Sequence, residues 1–113
     1  MNDQTTELLS GLKDRSVSFK EVIEFIEARF EHTPTAFKNG EVYNESSQNQ
    51  GSAKVFTFAK INNLTEADTL YLFAEHYQSV LEHPEATDHQ NIRQFMIHGW
   101  EGVAFDDQAL MDK

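Results

Sequence analysis

Ser18-Phe19-Lys20-Glu21-Val22-Ile23-Glu24-Phe25-Ile26-Glu27-Ala28-Arg29-Phe30-Glu31-His32-Thr33-Pro34 is the stretch from which the fold class is read. Its first four residues form a capping box. The Ser hydroxyl accepts from the amide three residues on, and the Glu reaches back to the Ser amide. Phe19, Val22, Ile23, Ile26 and Phe30 follow at helical spacing. Glu21, Glu24, Glu27 and Glu31 take the opposite face as solvated charge. Pro34 ends the helix and biases Thr33 toward extended backbone.

Working outward, the same periodicity recurs. Leu8, Leu9 and Leu12 share a face if Thr6 to Lys13 is helical, although Gly11 weakens that segment. Residues 35–51 are polar, and Asn39-Gly40 lies between apolar neighbours. That pair predicts a small hairpin or tight turn of type I′, with positive φ at both central positions. Asn44 to Gln50 reads as exposed loop. Between Ser52 and Asn62, Val55, Phe56, Phe58, Ala59 and Ile61 fit neither period cleanly. A buried helix capped by Ser52 is the expectation, with a strand as the alternative. Thr65-Glu66-Ala67-Asp68 starts another helix, buried through Leu70, Phe73, Ala74, Tyr77, Val80 and Leu81 and stopped at His83-Pro84. Asp88 is the expected N-cap of a last helix with Ile92, Phe95, Met96 and Trp100 inward. Gly99 and Gly102 are candidates for the turn that ends it. Phe105 and Leu110 in the tail should dock on the core. The expected fold is mainly α: a single domain over 1–113 of about five short helices, with a polar loop and a small β-hairpin near Asn39-Gly40.

The composition bounds the function. The 113 residues carry 19 acids against 9 bases, a net charge of −10, and 13 aromatics of which nine are Phe. A chain this aromatic has enough to bury and is not a disordered type. The acidic balance argues against reading nucleic-acid phosphates and against lying on anionic lipid. No apolar run reaches the roughly 18 to 20 residues of a membrane helix, and the N-terminus lacks a signal peptide's basic start and apolar stretch. Without Cys there are no disulfides, thiol nucleophiles or thiolate metal sites.

Three stretches together carry a family pattern: Pro34-Thr35-Ala36-Phe37-Lys38-Asn39-Gly40, Asn49-Gln50-Gly51-Ser52-Ala53-Lys54-Val55-Phe56-Thr57-Phe58-Ala59, and Asp88-His89-Gln90-Asn91-Ile92-Arg93-Gln94-Phe95-Met96-Ile97-His98-Gly99-Trp100. In this order and spacing the chain resembles the HopJ type III effector family of small bacterial proteins, most strongly over residues 18–110. One departure is Ala53, where the family often has Cys, so no thiol chemistry carries over. The resemblance implies a protein of the bacterial cytoplasm that a type III apparatus delivers into host cells. It implies no particular reaction or cofactor. Asn2, Thr5 and Thr6 suit a type III signal, while Asp3 and Glu7 do not.

The candidate chemistry is thin. The five His include no i, i+4 pair and no His-Glu-x-x-His, so no metal site is expected. Gly51-Ser52-Ala53-Lys54 places a hydroxyl and a Lys at a helix start, where free amides attract anions. The complete phosphate-loop pattern is absent, and a simple Ser cap with a solvated Lys is the plainer reading. After residue 56 there are ten acids and three bases, and Arg93 is the sole base between Ile61 and Asp112. It should pair with a carboxylate as a clamp, or anchor a ligand together with Asp88 and His89. No catalytic residue and no cofactor is expected. Two functions follow. One is a non-enzymatic protein that binds a basic partner through its acidic surface. The other is a small ligand-binding protein or enzyme whose site uses Asn39, Asn49, Ser52, Lys54, Asp88, His89 and Arg93. Convergence of those side chains on one pocket separates the two.

Overall fold

The computed structural model describes residues 3–113; Met1 and Asn2, the start of the expected secretion signal, lie outside the described residues. The elements run α1 (Asp3–Lys13), α2 (Phe19–Arg29), β1 (Phe30–His32), β2 (Phe37–Asn39), β3 (Val42–Asn44), α3 (Gln50–Ile61), α4 (Glu66–Tyr71), α5 (Glu75–Glu82), α6 (Gln90–His98), a 3-10 turn (Gly99–Gly102), β4 (Val103–Phe105) and β5 (Leu110–Asp112). The chain is therefore mainly helical, with more strand than expected. The capping box starts α2 as the sequence predicts: the Glu21 amide donates to Ser18 Oγ, and the Ser18 amide donates to Glu21 Oε1, both at 3.3 Å. Thr65 likewise caps α4, accepting from the Asp68 amide at 3.1 Å.

Helix α3 runs through the middle of the molecule. Ala53, Val55, Phe56, Phe58 and Ala59 are all buried, which explains the unclear periodicity: a helix covered on most sides has no polar stripe. The Phe56 ring lies 5.4 Å from Phe73, 5.0 Å from Phe95 and 6.2 Å from Trp100. One ring thus ties α3 to the α4–α5 segment and to α6. Burying such a side chain contributes about 1.5–3 kcal/mol.

The single helix expected from Glu66 to Leu81 is two helices. Ala74 breaks it with φ 52° and ψ −123°, a left-handed backbone that a Cβ disfavours. Phe73 at this corner stacks on Phe19 at 6.1 Å, and the Phe19 amide donates to Glu75 Oε1 at 2.7 Å. Contacts with α2 thus hold the corner.

Two antiparallel sheets complete the fold, one pairing β1 with β5 and the other ordered β3-β2-β4. In the second, Phe37 faces Asn44 and Phe105, and Asn39 faces Val42 and Val103. Phe37 and Phe105 stack at 4.8 Å, so Phe105 docks as expected, but from a strand. The hairpin at Asn39-Gly40 exists with its turn shifted by one residue. Asn39 belongs to β2, and the loop is Gly40-Glu41. Positive φ occurs at Gly40 alone (φ 59°), the pattern of a Gly-first type II′ turn rather than type I′.

Gly40 is also crowded. Its amide donates to the Gly102 carbonyl at 2.9 Å, and a Cβ there would collide with Gln94 and His98. Gly40→Ala is expected to destabilise by about 2 kcal/mol, combining a strained φ with that collision. Urea unfolding checks it; an unchanged midpoint would mean the turn re-forms elsewhere.

Candidate functional site

Four asparagines bring the hairpin and two helix starts together. Asn39 and Asn44 are fully buried and Asn91 is nearly so. Asn44 and Asn91 form a reciprocal amide pair, each donating Nδ2 to the other's Oδ1 at 3.2 and 3.0 Å. Asn39 Nδ2 donates to the Asn91 carbonyl at 2.8 Å and to Asn91 Oδ1 at 3.0 Å, and Asn49 Nδ2 donates to Asn44 Oδ1 at 2.7 Å. Asn39 Oδ1 has no partner. Asn39, Asn49 and Asn91 come from β2, the residue before α3, and the first turn of α6.

This network places the starts of α3 and α6 on one open cleft of about 440 Å³. Asn49, Gly51 and Ser52 line one side and His89, Gln90 and Asn91 the other, with Phe19, Val42, Phe73, Ile92 and His76 between them. Asn49 and His89 occupy the N-cap positions in left-handed conformation, both with φ 51°, and neither side chain caps its helix. Ser52 is therefore not the cap that the sequence suggests. It is the third residue of α3, and among the described residues its hydroxyl has no hydrogen-bond partner. Asp88 is likewise displaced as the cap of α6 by His89. Among the described residues the Gln50 and Gly51 amides of α3 and the Gln90 and Asn91 amides of α6 have no acceptor, while the Ile92 amide reaches the His89 carbonyl at 3.0 Å; amides left open in this way make a helix start attractive to anions. His76 and His89 complete the wall, their rings 5.0 Å apart. His76 also packs its ring against Phe19 at 4.8 Å.

A second cleft of about 400 Å³ lies between the α1–α2 turn and the α4–α5 corner. Several of its polar groups pair with one another: Arg15 Nη2 donates to Gln78 Oε1 at 2.9 Å, and Glu75 and Glu21 accept from the Phe19 and Ser18 amides.

The expected site residues divide accordingly. Asn49, Ser52 and His89 converge on the cleft. Asn39 is buried beneath it and holds Asn91. Lys54 points away, and its Nζ lies 2.8 Å from Glu27 Oε2 on α2. That hydrogen bond holds the Glu27 carboxyl below the ordinary carboxylate range. Arg93 is a clamp. Its guanidinium donates to the carbonyls of His83 (3.0 Å), Pro84 (3.2 Å) and Asp88 (2.6 Å) and to Asp88 Oδ1 (2.9 Å). The bond from Arg93 keeps the Asp88 carboxyl below its usual range. Sequence reasoning missed His76. It meets His89 only through the packing of α5 on α6, so no spacing in the chain announces it. Among the described residues no group of three or more His, Asp or Glu is arranged to hold a metal ion.

The family model described as HopJ type III effector protein matches residues 5–110. Among solved structures, the chain is similar to a crystal structure described as that of the unknown-function protein VPA0580. The two are 40% identical with a TM-score of 0.89, over 100% of this chain and 95% of that one. No curated protein matches. The three stretches that carry the resemblance supply Asn39, Asn49 and Asn91 to the network. Ala53, the departure from the family pattern, is fully buried in α3.

Asn91→Ala is expected to cost about 2–4 kcal/mol, because it removes the reciprocal pair with Asn44 and one of the two acceptors of Asn39 Nδ2, leaving only the residue-91 carbonyl for Asn39 and the weaker 3.4 Å bond to the Phe37 carbonyl for Asn44 Nδ2. Urea unfolding measures it. A loss below about 1 kcal/mol would show that the hairpin is held by apolar packing instead.

Proposed function

The chain belongs to the HopJ type III effector family, and on that premise we propose that it is a binding protein whose cleft between α3 and α6 takes a small organic anion. The observation that carries this reading is the convergence of two helix starts with unpartnered amides on one opening that His76 and His89 also face. The unpartnered amides there are donors, and the two positive dipole ends favour negative charge. The volume falls in the range of small-molecule pockets and exceeds what one bare anion fills. Phe19, Val42, Phe73 and Ile92 supply apolar walls. The fitting ligand class is a phosphate or carboxylate carrying an apolar or ring-shaped body. Of the polar residues named from the sequence, Asn49, Ser52 and His89 would contact it, while Asn39 would support from below. Asp88, Lys54 and Arg93 would stay in their ion pairs.

Calorimetric titration tests this with phenyl phosphate and benzoate as probes, and benzyl alcohol and benzylamine as neutral and cationic controls. The anions are expected to bind and the controls not. Ser52→Asp places a carboxylate at the opening while remaining compatible with the helix dipole, and should weaken anion binding about tenfold or more without lowering the melting temperature. Equal binding of benzyl alcohol, or an unaffected Ser52→Asp variant, would overturn the reading.

Delivery into a host cell is the second part of the proposal, and the family's description supports it. A translocation reporter fused behind residues 1–30 should enter host cells only from bacteria with a working type III apparatus. Entry from an apparatus-deficient strain, or none from either, would remove this part and leave the cleft reading intact.

A further inference from the structure

A different face of the molecule carries an apolar groove that neither the cleft nor the network uses. It lies between α5 and α6, about 300 Å³ in volume, bordered by Leu81, Pro84, Ala86, Met96 and Ile97 with Val80 as its floor. Leu81 is 47% exposed, Met96 44% and Ile97 71%, which makes three of the large exposed hydrophobic residues neighbours in one place. Isolated exposed hydrophobics are ordinary, but a contiguous set around a groove marks an interaction surface. The expectation that Met96 turns inward fails here, because α6 buries Ile92 and Phe95 and leaves Met96 outside.

No acid lines the groove itself, but exposed acids flank its lining residues along the chain. Glu82 adjoins Leu81, Glu85 lies between Pro84 and Ala86, and both are exposed. Arg93 is the one base lining the groove, and its guanidinium is consumed by Asp88 and three backbone carbonyls. Those same bonds pin the loop from His83 to Asp88, so one wall of the groove is fixed in advance. We propose that the groove between α5 and α6 docks a basic amphipathic segment of a partner protein, its apolar residues against Leu81, Met96 and Ile97 and its Lys or Arg against Glu82 and Glu85. A helix laying its apolar face into a groove is a recurrent mode of peptide recognition. Charge complementarity selects this occupant over two others. An anionic membrane would meet the exposed Glu82 and Glu85 beside the groove and a chain of net charge −10 with the same sign, and a second copy would bring together two chains each at −10.

The test uses a fluorescent peptide of alternating Leu and Lys at helical spacing, with a Leu/Glu peptide of the same apolar pattern as control, read by fluorescence anisotropy. The Lys peptide should bind and weaken as salt rises, and the Glu peptide should not bind. Replacing Met96 and Ile97 together by Ser should weaken binding about tenfold. Glu82→Lys with Glu85→Lys should weaken it and flatten the salt dependence. Met111→Ser, at a 56% exposed apolar residue on β5, should leave it within about twofold. All these positions are exposed, so the variants are expected to fold, and melting temperatures verify this. Equal loss with Met111→Ser, no binding of the Lys peptide, or equal binding of the Glu peptide would each overturn the proposal. So would light scattering that showed a dimer dissolved by Ile97→Ser, which would assign the groove to a second copy.

Discussion

The reciprocal amide pair between Asn44 and Asn91 is the interaction on which the arrangement of this molecule rests. Apolar packing alone would hold a hairpin against a helix in several registers of similar energy. A buried amide pair accepts only one, because shifting either strand or helix by a residue leaves donors and acceptors unmatched in a low-dielectric interior. Asn39 and Asn49 fasten onto the same pair from two further segments. The orientation of each amide is dictated as well: turning Asn91 over would set its Nδ2 against the donors of Asn39 and Asn44. Asn39 Oδ1, left without a partner, is the energetic cost of satisfying every other group in the cluster.

The open cleft is a by-product of that lock. Asn is among the better N-cap residues, and Asn49 stands in the cap position of α3. Its side chain nonetheless donates to Asn44, and its left-handed backbone turns it away from the helix. The amides it would have satisfied are thereby left without that acceptor at residues that line the cleft. At α6 the corresponding position is His89, which has no short side-chain oxygen to offer. Two unfinished helix starts and the means of holding them together have a common origin.

Much of this build was legible in the sequence where local chemistry decides the outcome. The capping box at Ser18, the start at Thr65, the turn near Gly40 and the clamping role of Arg93 each depend on a few adjacent groups. What was illegible depends on distant partners. Leu70, Phe73, Ala74, Tyr77, Val80 and Leu81 keep helical period straight across the corner at Ala74. The break comes from Phe19 and Glu75, more than fifty residues apart. Three-residue strands such as β4 and β5 have no period to detect, and exist because β2 and β1 supply edges. In Asn49-Gln50-Gly51-Ser52 two residues are able to cap. The choice of Asn49 over Ser52 is made by Asn44, a residue outside that motif. The sequence named Asn49, Ser52 and His89, which line the cleft, but not His76 beside them.

Leu110 is completely enclosed, and its strand pairs with Phe30–His32, some eighty residues earlier in the chain. The wall of the core beside α3 thus stays open until residues 110–112 have been made. During synthesis, Phe25 of α2 and Phe30 can already pack on Phe58, but the edge that β1 offers to β5 has no partner until those last residues exist. Closure over so long a separation is slow compared with forming a helix. The nascent protein must pass through an interval in which its helices exist but its hydrophobic interior is accessible to whatever else is in the cell.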